Sequence, residues 1–229
     1  DHNQKEYGIP EKRMMVAHDG VDLETFGKQV SRSDARKKLE LPQDAYIITY
    51  TGRFETLGMD KGLRVLLEAM KELSAPFFLV MMGGKPRHVT AFTQYAKELG
   101  VQDRVRIDGH FSQDIVVEYL QAADVLVMPF PWTEHYAYHM SPLKMFEYMA
   151  SRRPILATNL PSVIEVLTDR KTAHLVEPGS AEALRAGFHY MHDHPEYSAE
   201  LSDSAYTLVQ GYTWEKRAQN IANFMSGIH

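Results

Sequence analysis

Two groups of residues in this sequence have the types and spacing to do chemistry. One is the run Ser141-Pro142-Leu143-Lys144-Met145-Phe146-Glu147-Tyr148-Met149-Ala150, and the other is the pair of cations Arg53 and Lys61. Ser141 suits a helix N-cap, because its hydroxyl can accept an unpaired N–H of the first turn. Pro142 suits the first helical position, where its missing N–H costs nothing. A helix is therefore predicted to begin at Ser141. Its free N–H groups and dipole make an anion site, and Lys144 adds a full charge in the first turn. Leu143, Phe146, Tyr148 and Met149 are expected to bury the helix, and Glu147 is the one carboxylate inside it. Phosphate at the helix tip and hydroxyls on a carboxylate one turn behind is the chemistry of a sugar nucleotide. An ordinary capped helix with a solvated glutamate fits the same stretch equally well.

The second group lies in the loop Gly52-Arg53-Phe54-Glu55-Thr56-Leu57-Gly58-Met59-Asp60-Lys61-Gly62. Gly52 lets the backbone leave a strand steeply. Arg53 and Lys61 are the two kinds of cation that grip a diphosphate, one by paired hydrogen bonds and one as a point charge. Gly83-Gly84-Lys85-Pro86 could admit a ligand close to the backbone, and reads equally as a strand-to-helix turn. His135 and His139 are four apart, the spacing of a helical metal pair. With a helix beginning only at Ser141 that geometry is not expected, and no metal site is predicted. Neither Gly-x-Gly-x-x-Gly nor Gly-x4-Gly-Lys-Ser/Thr occurs, which argues against nicotinamide or flavin binding and against P-loop hydrolysis.

Apolar runs separated by amphipathic stretches must position these residues. Strands are predicted at 46–51, 77–82, 104–107, 124–128, 154–157 and 173–176, from their β-branched and aromatic content. Helices are predicted from Asp60, over 89–99 and 113–123, at Ser141, over 163–168, and around 180–192, 196–210 and 214–226. Before Tyr46 the chain is polar and broken. There His18-Asp19-Gly20-Val21-Asp22 reads as a tight turn, Phe26 as a core anchor, and 34–39 as a short helix. Six strands alternating with helices imply an α/β fold, a Rossmann-like doubly wound parallel sheet with helices on both faces. Ligands of such sheets sit beyond the carboxyl ends of the strands, where strand order reverses. That rule gathers the loops after Tyr50, Met82, Ile107 and Met128 around one crevice. No linker or repeat interrupts the pattern after residue 46, so residues 1–229 read as one domain. Residues 1–45 lead into it and 212–229 form its terminal helix.

Composition bounds the function. The 229 residues are 44% hydrophobic and carry a formal charge of −5, which gives no electrostatic case for nucleic acid or an anionic membrane as partner. The absence of cysteine excludes disulfides, Cys-ligated zinc and thiol catalysis. No apolar run approaches the roughly 20 residues needed to span a bilayer. A cytoplasmic location is expected, with any contact to the inner membrane left to another part of a longer protein.

Taken in order, Gly52-Arg53, Lys61-Gly62, Gly83-Gly84, the Ser141–Ala150 run, Pro154-Ile155-Leu156-Ala157-Thr158, Glu165-Val166-Leu167 and Leu175-Val176-Glu177-Pro178-Gly179 are similar to a known set. They resemble the carboxyl-terminal, donor-binding domain of the GT-B retaining glycosyltransferases, in the group of glycogen synthases and bacterial mannosyltransferases. His18-Asp19-Gly20-Val21-Asp22 resembles that family's Asn-Gly-Val-Asp turn, and Tyr212-Thr213-Trp214-Glu215 its terminal helix motif. The resemblance implies half of an enzyme, with the amino-terminal acceptor domain absent and the chain alone inactive. It implies a nucleoside diphosphate sugar as donor, with Gly52, Arg53, Lys61 and Gly83 around the diphosphate. Glu147 would hold the ribose, the backbone of Met140, Ser141, Pro142 and Leu143 would meet phosphate and sugar, and the base would lie near Gly109-His110-Phe111. Catalysis would be electrostatic, with positive groups stabilising the departing diphosphate and no metal or other cofactor needed. The family pattern has a second glutamate eight residues before the one matching Glu147. Here His139 stands at that position, against the donor sugar, and points to a different sugar.

The leading expectation is thus a domain of an enzyme that transfers a hexose from a nucleoside diphosphate sugar with retention. Two others stand beside it: a GT-B sugar-nucleotide epimerase, and a non-catalytic sugar-nucleotide-binding or interaction module, for which His139 is the main argument.

Overall fold

A computed structural model of the chain describes residues 8–227. The expected lead-in at residues 1–7 and the end of the terminal helix at 228–229 lie outside the described residues. In order, the elements are α1 (Leu23–Phe26), α2 (Arg32–Lys38), β1 (Tyr46–Thr51), a two-stranded ribbon of β2 (Glu55–Thr56) and β3 (Met59–Asp60), and α3 (Leu63–Glu72). There follow β4 (Phe77–Met82), α4 (Pro86–Glu98), β5 (Val105–Asp108), α5 (Gln113–Ala122), β6 (Val125–Met128), α6 (Glu134–Tyr138) and α7 (Leu143–Ala150). The rest is β7 (Ile155–Thr158), α8 (Pro161–Ile164), β8 (His174–Val176), α9 (Ala181–Asp193), α10 (Pro195–Val209) and α11 (Trp214–Ser226). None of these helices is long and apolar enough to cross a membrane.

Six strands form one parallel sheet in the order β5-β4-β1-β6-β7-β8. The period of two along each strand sends its side chains to opposite layers. Ile48, Tyr50, Leu79, Met81, Val125, Val127 and Leu156 share one apolar cluster with residues of α3, α4 and α9. Their neighbours Ile47, Val80 and Met82 pack with α2 and α5, and Leu126, Met128, Ile155 and Ala157 pack with α7 and α10. Helices therefore cover both faces, which is why the central strands β4, β1, β6 and β7 are largely apolar on both. The chain runs outward from β1 through β4 to β5, then returns to the other side of β1 with β6. The order reverses between β1 and β6.

The six strands lie within a residue or so of their predicted bounds. Several local expectations are corrected. The loop after β1 folds into the ribbon, because Leu57 and Gly58 both take positive φ (52° and 74°), the conformation of a two-residue hairpin turn. The 18–22 segment makes no tight turn; Val21 instead pairs with Thr213, and its N–H donates to Tyr212 O at 2.9 Å. The helix expected over 163–168 is α8, which starts earlier because Pro161 occupies its first turn. Phe26 is buried as expected, on the short α1 that Asp22 caps by accepting from Glu24 and Thr25 N–H.

Candidate donor crevice

The carboxyl ends of β1, β4 and β5 open into a crevice of about 370 Å³. Its walls are Thr51 and Gly52 from β1, Met82 and Gly83 from β4, and His110 to Gln113 beyond β5. Phe26, Val116 and Glu147 complete the lining. The strand ends are bonded across their loops: Gly52 N–H donates to Met82 O at 2.9 Å, and Gly83 N–H to Gly109 O at 2.9 Å. Gly83 has φ 109°, and a Cβ there would lie 2.6 Å from Gly52 O. Glycine at 83 therefore permits the close approach of two backbone loops.

Helix α7 carries the residues around which the site is built, and it is fixed to the end of β1. The buried Tyr148 hydroxyl accepts from Thr51 N–H at 2.8 Å, and Gln121 Nε2 donates to Ser151 O at 3.0 Å just past the helix. The expected start of this helix is corrected. Pro142 takes ψ 108° and is itself the residue before the first turn, so Ser141 lies outside the helix. The Ser141 hydroxyl accepts from Asp19 N–H at 3.3 Å instead. The burial expectation for Leu143 is also reversed. Leu143 is 47% exposed, whereas Lys144 is only 8% exposed and faces the core with Met145, Phe146, Tyr148 and Met149.

Glu147 is half-buried and lines the crevice. Burial pushes its carboxyl above the usual range, and the Lys144 ammonium opposes that rise. Lys61 is pushed below its ordinary value by burial and then by the Arg53 charge. Lys144 is pushed well below its own, by burial and by Lys61, against the pull of Glu147. Arg53, Lys61 and Lys144 thus form a file of mutually repelling cations beside the crevice, with Glu147 as counter-charge to the last. The Arg53 side chain is exposed, while its carbonyl accepts from the Tyr50 hydroxyl at 2.6 Å, which holds the turn at Gly52.

Of the residues singled out from sequence, Gly52, Gly83, His110 and Glu147 line the crevice together. Lys61 is within charge reach of both Arg53 and Lys144, and none of the three cations lines the crevice itself. His139, Met140, Ser141, Pro142 and Leu143 are outside its lining, and so is the loop after Met128, whose Phe130 is buried in the core. His139 is exposed at the end of α6, its N–H donating to His135 O at 2.9 Å. That helix was not expected; it contains His135 and ends at Tyr138, with His139 just beyond it at φ −124° and ψ 25°, and Thr133 caps its start by accepting from Tyr136 N–H. Among the described residues no group of three or more His, Asp or Glu is placed to hold a metal ion. Phe111, named with Gly109 and His110 as the place of the base, lines the crevice and stacks on Tyr119 with ring centroids 5.8 Å apart. Sequence reasoning missed Tyr50 and Phe130 around Lys144.

Residues 45–193 match the family described as Glycosyl transferases group 1. The chain is 27% identical to the D-inositol 3-phosphate glycosyltransferase of Streptomyces avermitilis, over 96% of this chain and 48% of that protein. It spans about half the length of the curated relatives it matches. Its fold is similar to that of a glycosyltransferase from Rickettsia africae, with a TM-score of 0.83 at 21% identity, covering 98% of this chain and 60% of the other. It is also similar to Anabaena HepE solved in complex with UDP-glucose, with a TM-score of 0.78 at 18% identity, covering 91% and 56%.

Proposed function

The chain belongs to the group 1 glycosyl transferases and has the fold of a carboxyl-terminal GT-B domain, and from this premise we propose that its crevice binds the donor, a nucleoside diphosphate sugar. The observation that carries the proposal is the half-buried Glu147 carboxylate in the crevice wall, with Lys144 as its counter-charge, Lys61 within charge reach of Lys144, and Arg53 within charge reach of Lys61. A carboxylate kept partly out of water needs hydroxyl or N–H partners, and a ribose supplies two hydroxyls. A file of repelling cations needs an anion, and a diphosphate supplies it. The glycosyltransferase relatives and the UDP-glucose complex of HepE support this reading.

In the proposed reaction the bond between the anomeric carbon and the β-phosphate oxygen breaks, and its electron pair leaves with the nucleoside diphosphate. Arg53 and Lys61 stabilise the charge that develops there, an electrostatic contribution that needs no metal. The acceptor oxygen bonds to the anomeric carbon on the face the leaving group vacates, which retains configuration, and its proton passes to the departing phosphate. His139, which the resemblance sets against the donor sugar, is exposed and outside the crevice lining, so no part of the step is assigned to it. The acceptor site belongs to the part of the full-length protein that this chain does not span.

Titration of the 229-residue chain with uridine, guanosine and adenosine diphosphates tests the reading. Selective binding of one base is expected, and binding of none would favour a non-catalytic interaction module. Glu147→Gln is expected to keep the fold and weaken the preferred nucleotide by about 1 kcal/mol or more. The loss for inorganic pyrophosphate, which has no ribose, is expected to be smaller. If Glu147→Gln instead lowered the melting temperature and left nucleotide affinity alone, Glu147 would be a structural residue.

A further inference from the structure

Lys144 carries a polar atom that the protein leaves unsatisfied. Its Nζ is buried with no hydrogen-bond partner, 3.6 Å from the centroid of the Tyr50 ring and 5.7 Å from that of Phe130. A ring face returns only part of what an ammonium loses on leaving water. The charged groups around it come from two elements: Lys61 before α3 repels it, and Glu147 on α7 itself attracts it. From β1 comes Tyr50, whose hydroxyl burial keeps protonated.

One side of this enclosure is Gly52. A Cβ at position 52 would come 3.0 Å from Lys144 Nζ, and Gly52 lines the crevice. The buried ammonium therefore packs against the crevice wall from the core side, at a glycine that leaves it room. A buried cation with aromatic walls, a repelling neighbour and no acceptor is a group that an incoming anion completes.

We propose that Lys144 is a phosphate-contacting cation of the crevice, held beneath Gly52 by Tyr50 and Phe130, where the diphosphate of a nucleoside diphosphate supplies its missing acceptor. The proposal rests on the reading of the crevice as a donor site and adds a residue that acts from inside the core. An anion beside Lys144 favours its charged form, so binding draws a proton from solvent wherever the free protein holds Lys144 partly neutral.

Calorimetric titration of the 229-residue chain with the preferred nucleoside diphosphate, in buffers of different ionisation heat between about pH 7 and 10, reads both effects. Wild type is expected to take up protons on binding, increasingly as pH rises. Lys144→Met, similar in length and uncharged, is expected to lose about tenfold or more in affinity and most of the proton uptake. Removing a desolvated charge should leave this variant folded, and the uptake it loses relative to wild type belongs to Lys144 rather than to Lys61, which is also pushed below its ordinary value. Unchanged affinity in Lys144→Met, or wild-type binding with no uptake across that range, would overturn the role of Lys144 alone. A wild type that binds none of the three diphosphates would overturn the donor reading itself.

Discussion

Asp124→Ala is expected to cost about 3 to 5 kcal/mol of folding stability, the loss typical of breaking a buried ion pair from one side. The Asp124 carboxylate pairs with the buried guanidinium of Arg36, with Arg32 at 2.7 Å, and accepts from Ile47 N–H at 2.6 Å. Arg36 also donates to the carbonyls of Ala122, Gln43 and Ala45. One carboxylate thus fastens α2 to the starts of β1 and β6, the central pair of the sheet. Without it a buried guanidinium has only neutral acceptors, and the Ile47 N–H loses its partner. Against a total stability of about 5 to 15 kcal/mol, the loss would be visible as a large drop in denaturation midpoint. Arg170→Ala removes an exposed pair with Asp169 at 3.9 Å and is expected to change stability by less than about 1 kcal/mol. A similar small effect at Asp124 would show that the carboxylate does not anchor the sheet.

Arg53→Ala and Lys61→Ala are each expected to weaken nucleoside diphosphate binding by about 1.5 to 3 kcal/mol, the worth of a charge-assisted contact. In affinity that is roughly one to two orders of magnitude. Neither change should lower stability. The Arg53 side chain is exposed, and the bond that holds the Gly52 turn uses its backbone carbonyl. Loss of Lys61 removes a partly desolvated charge that repels Lys144. The two contributions should differ in their dependence on conditions. The exposed Arg53 contact is screened more by salt. The Lys61 contact should fade as pH rises through a value below that of a free lysine, because only the charged form binds phosphate. Titration at two salt concentrations and across pH reads both. Unchanged affinity in the two variants would remove the diphosphate from this edge of the crevice.

Much of the architecture was legible in the residues alone. Runs such as Phe77–Met82 and Val125–Met128 are too short for helices and too apolar for a half-exposed strand, so they imply a parallel sheet covered on both faces. That arrangement in turn implies ligand binding at the carboxyl ends of the strands. The cations Arg53 and Lys61 and the carboxylate Glu147 could be picked out because charge at a strand end or inside an apolar helix stands out against its neighbours.

What could not be read was decided by contacts between distant residues. Gly52, Gly83 and His110 share a crevice because β1, β4 and β5 are adjacent in the sheet, and strand order is a property of crossovers that no local pattern encodes. Lys144 is a similar case. A lysine in a first helical turn reads as solvated, but α7 begins one residue beyond Pro142, and Tyr148 pins it to Thr51. That rotation trades Leu143 outward and Lys144 inward. The sequence alone determined which charges the site has. Only the tertiary structure decided that one of them is withdrawn from water, because desolvation depends on what the rest of the chain packs around it.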